Sequence, residues 1–209
     1  MFSHFANSVV SETAFSVLAR AQELEAAGKD VIRLEIGDSP FPSSTQALSA
    51  GSEAVLADKC HYVSSKGIGE LRREAARYVL REHGAEVDED NILVGNGAKI
   101  FQQLFCELFL DPGDGALVFS PFFPTYSANI CRRGGRLITS KLLQQNKFRP
   151  SLEDVQRFLE QDESPKAIFL NSPHNPTGGV TTEEDVADIC SLILSKENVF
   201  LFSDEPYDQ

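Results

Sequence analysis

From residue 91 onward the chain alternates short apolar runs with helical stretches, and this alternation constrains its fold more than any other feature. The runs I-L-V (92–94), A-L-V-F (116–119), L-I-T-S (137–140), A-I-F-L (167–170) and V-F-L-F (199–202) each have the length and β-rich make-up of a buried strand. Between them the apolar spacing predicts helices over about 99–110, 125–132, 151–161 and 182–196. The last has Thr181 or Thr182 as N-cap and Glu183, Glu184 and Asp185 in its first turn, where acidic side chains oppose the helix dipole. Strands joined through helices must run largely parallel, so the expected class is α/β: a mostly parallel sheet with helices on both faces. No internal repeat or low-complexity tract interrupts the pattern.

The first ninety residues read differently. Val9, Val10, Phe15, Val17, Leu18, Ala21 and Leu24 form a helical stripe that Gly28 stops, and V-I-R-L-E-I (31–36) then predicts a strand ending at Gly37. The segment D-S-P-F-P-S-S (38–44) is rich in proline and serine, and marks a boundary between an N-terminal arm (1–44) and the main domain (45–209). Helices are expected over 45–58 and about 70–82, where Leu71, Ala75, Ala76, Val79 and Leu80 share a face before Gly84.

Composition excludes several functions. The 209 residues carry a formal charge of −12, the opposite of the basic face that nucleic-acid phosphates or anionic lipids require. Small molecules and other proteins are the expected partners, with no nucleic acid and no membrane. No apolar run is long enough to span a bilayer, and Met1–Val10 lacks the charged and apolar regions of a secretion signal, so a cytoplasmic location is expected. Cys60, Cys106, Cys131 and Cys190 lie far apart without C-x-x-C spacing, which suits reduced thiols better than a metal site or a disulfide framework.

Candidate chemistry lies where strands end, the place at which open α/β sheets bind ligands. V-G-N-G-A-K (94–99) joins a strand to a helix: its glycines allow a close backbone approach, and the following helix N-terminus favours a phosphate, although such turns also serve as plain scaffolding. P-F-F-P-T-Y (121–126) offers an aromatic face to a planar ring, or else packs into the core. N-S-P-H-N-P-T-G-G (171–179) is a rigid loop suited to aiming the Asn175 amide, with His174 expected to be structural. Finally, V-F-L-F-S-D-E-P-Y places an acid, Asp204, and a phenol, Tyr207, at the end of the last strand.

Taken in order, Y-V-S-S-K-G-I-G-E-L-R (62–72), N-G-A-K, L-D-P-G-D (110–114), N-x-P-T-G and S-D-E-P-Y resemble the class I/II aminotransferases of pyridoxal-phosphate fold type I, over Ile32 to Gln209. The resemblance implies an incomplete fold type I large domain and an enzyme that uses pyridoxal 5′-phosphate to move an amino group between an amino acid and a 2-oxo acid. It implies that Asp204 pairs with the cofactor's ring nitrogen, that Tyr207 and Asn175 hydrogen-bond its ring oxygen, and that Phe123 stacks on the ring. Gly97, Ala98 and Lys99 would cradle the phosphate, Tyr62 would reach the phosphate of the partner subunit in a homodimer, and Gly37 would lie near the substrate carboxylate. A cis peptide bond at Asn175-Pro176 is implied as well.

The family's Schiff-base lysine lies a few tens of residues beyond D-x-x-Y, and its substrate-carboxylate arginine farther still. Neither has a counterpart here: Lys141, Lys147 and Lys166 lie in other segments, and Lys196 precedes Asp204. The expectation is therefore an N-terminal fragment, with no catalytic residue of its own and inactive alone. The same motifs also suit a carbon–sulfur lyase or an aminocyclopropane-carboxylate synthase-like enzyme of this fold. From a different class, a noncatalytic aminotransferase-like binding module would share them too.

Overall fold

The computed structural model describes residues 2, 6, 7 and 13–207, and the chain divides into two compact units, Glu12–Gly95 and a second carrying Asn96–Gln209. The first unit is helical: α1 (Thr13–Ala26), α2 (Thr45–Leu56) and α3 (Gly69–His83), followed by a 3₁₀ turn at Glu89–Asn91. Val9 and Val10, expected to open the first helix, lie outside the described residues. Gly84 takes a left-handed conformation and returns its N–H to the Leu80 carbonyl, closing α3 as a C-terminal glycine does.

Two expected strands do not form. Residues 31–36 carry no strand, and Ile32 and Leu34 are exposed; a strand needs a partner for its backbone groups, and none among the described residues pairs with this run. Residues 92–94 are extended but unladdered. The Val94 N–H bonds the Lys66 carbonyl at 3.0 Å, and the buried Arg72 guanidinium donates to the carbonyls of Glu89 and Ile92 at 2.9 and 3.2 Å, so a loop and a side chain satisfy what a neighbouring strand would.

The second unit has the expected alternation: α4 (Ala98–Phe109), β1 (Gly115–Ser120), α5 (Thr125–Arg132), β2 (Arg136–Lys141), α6 (Leu152–Gln161), β3 (Pro165–Asn171), α7 (Glu183–Leu194) and β4 (Phe200–Asp204). All pairings are parallel and the order is β2-β1-β3-β4. The chain steps from β1 outward to β2, then crosses back over β1 to β3 and β4. Right-handed crossovers in opposite directions must use opposite faces of the sheet. Alternation along the strands agrees: Ala116, Val118, Ala167 and Phe169 pack with Cys106, Tyr126 and Ile130 of α4 and α5. Leu117, Phe119, Ile168 and Leu170 pack with Val155, Phe158, Ile189 and Ile193 of α6 and α7. The central strands β1 and β3 are therefore buried on both sides, which explains their continuous apolar runs, while the edge strands β2 and β4 are only partly covered.

Local chemistry fixes the ends. Thr182 and Asp185 form a capping box on α7, and Arg149 grips the Asp185 carboxylate through two bonds of 2.7 and 2.6 Å. Asp185 is buried, and the Arg149 bonds hold its carboxyl below the usual range. Ser120-Pro121, Ser172-Pro173 and Asn175-Pro176 are cis, the last as the sequence resemblance implies. The four cysteines are unpaired, and among the described residues no helix is long and apolar enough to cross a membrane.

Candidate functional site

Strand order reverses between β1 and β3, and the crevice beyond the carboxyl ends at such a switch point is where a doubly wound sheet leaves room for a ligand. A cavity of about 330 Å³ lies there, within the range of small-molecule sites. Its lining comes from four places: Asn96 to Lys99 and Gln102 at the start of α4, Phe123 after β1, Asn171 and Asn175 after β3, and Asp204, Pro206 and Tyr207 after β4.

Asp204 is buried at the base. Its Oδ2 accepts from Gln102 Nε2 at 3.1 Å and from the Tyr126 hydroxyl, while no described residue bonds Oδ1. No fully buried side-chain oxygen lacks a partner among the described residues, so Oδ1 keeps open surface, and the open surface beside Asp204 is the cavity. Burial, then the bond to Asp204, raises the Tyr126 phenol's pKa, so the phenol remains a proton donor to that carboxylate.

Asn171 ties the floor together. It faces Asp204 in the β3–β4 register, its Nδ2 donates to the Asp204 carbonyl at 2.7 Å, and its Oδ1 accepts the Asn175 backbone N–H at 2.7 Å. Both ends of one buried amide thus lock the β3 loop to the end of β4. Asn175 then reaches out of that loop and donates through Nδ2 to the Tyr207 hydroxyl at 2.8 Å.

At the α4 end, Gly97 has φ of 77°, a left-handed conformation natural to glycine, and no side chain caps the helix. The first-turn N–H groups and the dipole's positive end are thereby available to an anion, with the Lys99 ammonium close by, 5.2 Å from the centre of the Phe123 ring. The arrangement suits a flat, anionic heteroaromatic molecule. It offers a carboxylate for a protonated ring nitrogen, an aromatic face, an amide–phenol pair for a ring oxygen, and a helix N-terminus for a phosphate.

Of the residues singled out from sequence, Gly97, Ala98, Lys99, Phe123, Asn175, Asp204 and Tyr207 line this one cavity. Gly37 and Tyr62 belong to the other compact unit, where both are exposed. His174 does not line the cavity: it is buried, its Nδ1 lies 2.8 Å from Thr177 Oγ1, and burial lowers its pKa, which favours the neutral ring. Gln102, Tyr126 and Asn171 were not singled out. Their signal was faint: Gln102 is a polar residue on the apolar face of α4, and Tyr126 follows Phe123 by less than one helical turn.

A model of the family "Aminotransferase class I and II" matches residues 29–209. A probable aspartate/prephenate aminotransferase of Aquifex aeolicus is 36% identical over 92% of this chain and 48% of its own length. An aspartate aminotransferase of Thermotoga maritima is 34% identical over 91% of this chain and 50% of its own. Among solved structures, the aspartate aminotransferase of Thermus thermophilus with maleate superposes with a TM-score of 0.94 at 30% identity, over 99% of this chain and 53% of that one. The chain thus spans about half the length of the curated relatives it matches. It has the α/β architecture of the fold type I aminotransferases and belongs to the aminotransferase class I and II family.

Proposed function

We propose that this chain forms the cofactor-holding part of a pyridoxal-phosphate-dependent aminotransferase, which moves an amino group between an amino acid and a 2-oxo acid. The observation that carries the reading is the buried Asp204 carboxylate, doubly bonded through Oδ2 and with no described partner on Oδ1, lining one cavity together with an uncapped helix N-terminus and Lys99. When bound, pyridoxal 5′-phosphate supplies a ring that accepts the electrons released at a substrate α-carbon.

The residues fit that group in chemistry and order. Asp204 Oδ1 holds the proton on the ring nitrogen. Phe123 stacks on one face of the ring, and the paired Asn175 amide and Tyr207 hydroxyl bind its ring oxygen. Gly97 and Ala98 offer backbone N–H groups, and Lys99 an ammonium, to the phosphate. We read Tyr62, wholly exposed, as reaching the phosphate of a partner subunit in a homodimer, and Gly37 as lying near the substrate carboxylate.

Lys99 is the one lysine among the described lining residues, and we assign it to the phosphate. The 209 residues alone are therefore expected to bind the cofactor without turning over. Equilibrium dialysis against pyridoxine 5′-phosphate, which cannot bond covalently to lysines, tests the binding. One molecule per chain is expected, with loss of binding in Asp204→Ala. A wild-type chain that binds none contradicts the reading, as does transfer of an amino group from aspartate to a 2-oxo acid by the isolated chain.

A further inference from the structure

Gln102 is almost wholly buried, yet its side chain joins two polar groups that stand on different elements. Its Nε2 donates to Asp204 Oδ2 at 3.1 Å, and its Oε1 accepts the Thr125 hydroxyl proton. The direction of this chain of bonds is fixed from one end. A carboxylate can only accept, so the Gln102 amide must present its NH₂ to Asp204 and its oxygen to Thr125; the Thr125 hydroxyl, free to rotate, supplies the proton that oxygen needs. Thr125 opens α5, two residues after Phe123, whose ring lines the same cavity.

Tyr126 donates to the same oxygen. Two donors on Oδ2 from two helices fix the rotation of the carboxylate about its last bond, and Oδ1, to which no described residue donates, is left for a ligand in the cavity that Asp204 lines. With one donor removed, the carboxylate can turn, or take up water on Oδ1. We propose that Gln102, held by Thr125, is a positioning residue that aims Asp204 Oδ1 at a ring-nitrogen proton of the bound ligand, and so sets how strongly the site favours a nitrogen-protonated ring. The inference rests on the reading of the cavity as a pyridoxal-phosphate site and deepens it.

The test compares two ligands in the purified 209-residue chain: pyridoxine 5′-phosphate and its 1-deaza analogue, in which a C–H replaces the ring nitrogen. Gln102→Leu keeps the apolar packing of α4 and removes the donor. It is expected to weaken pyridoxine 5′-phosphate by at least about tenfold, the lower end for one hydrogen bond to a charged group, while moving the deaza analogue by less than about twofold. Thr125→Val is expected to follow Gln102→Leu, and Thr125→Ser, which keeps the hydroxyl, to match the wild type. These variants separate positioning from folding, because a general disturbance of the cavity would weaken both ligands alike. Equal weakening of the two ligands, or no weakening of either, overturns the role of Gln102 and leaves the cofactor reading intact. Failure of the wild-type chain to bind pyridoxine 5′-phosphate at all overturns that reading, and the positioning role with it.

Discussion

The Tyr126 phenol at the start of α5 donates its hydrogen bond to the Asp204 carboxylate at the end of β4, joining positions 78 residues apart in the chain. The contact ties the start of a helix to the end of a strand, so it serves the sheet as well as the cavity. Tyr126→Phe keeps the ring packed on Phe169 and removes only the donor. A hydrogen bond to a charged group contributes about 1.5–3 kcal/mol, so a loss of that size is expected in urea or thermal unfolding. An unchanged midpoint would mean that Asp204 is satisfied without Tyr126.

Sequence alone captured the frame of this unit because both periodicities were clean. The four strands and the helices from α4 to α7 fall within a few residues of where the apolar spacing puts them. It failed at 31–36 and 92–94, for one physical reason. Apolar alternation reports that a segment could pair, whereas pairing needs a neighbour with free backbone groups. Residues 92–94 have theirs taken by Lys66 and Arg72. At the site, the residues that face the cavity were legible from motifs at strand ends. Gln102, Tyr126 and Asn171 were not, since each acts through Asp204 or Asn175 and its pattern matches ordinary core packing until the partners are seen in space.

His174 gives stability a specific pH dependence. Burial lowers its pKa below the ordinary imidazole value of about 6.5, so the folded chain refuses a proton that the unfolded chain accepts. The stabilisation is complete above the unfolded value and is lost as pH falls from there through the folded value. Urea unfolding of wild type and His174→Gln between pH 7.5 and 5 is expected to show a steeper fall with acidity in the wild type, by an amount that the variant abolishes. Parallel curves would show that His174 titrates alike in both states.

The Arg149–Asp185 pair predicts a loss at lower pH. The Arg149 bonds depress the Asp185 carboxyl, so its contribution is present above the unfolded carboxyl value of about 3.9 and disappears as pH falls through the folded value. Asp185→Asn at pH 7 is expected to cost about 1.5–3 kcal/mol in urea unfolding, because it removes a charge-assisted pair and disturbs the cap of α7. The deficit should shrink as the wild type is brought toward pH 3.

Gly179 sits against the turn at Lys147 and Phe148. A Cβ there would lie 2.8 Å from Phe148 Cβ and 3.0 Å from the Lys147 carbonyl oxygen. Backbone cannot swing aside as a side-chain tip can, so Gly179→Ala is expected to destabilise by about 1–3 kcal/mol, as overpacking does. Because the same loop carries Asn175, weaker binding of pyridoxine 5′-phosphate should accompany it. A variant as stable as the wild type would show that this turn yields freely.

Asp204 is proposed to hold a proton on the ring nitrogen of a bound cofactor, and the ¹⁵N chemical shift of ring-labelled pyridoxine 5′-phosphate in complex with the chain reads that proton directly. A protonated shift in the wild type at pH 8, replaced by the shift of a neutral pyridine nitrogen in Asp204→Asn, is the expected result. A neutral nitrogen in the wild type, or a protonated one that survives Asp204→Asn, would contradict it.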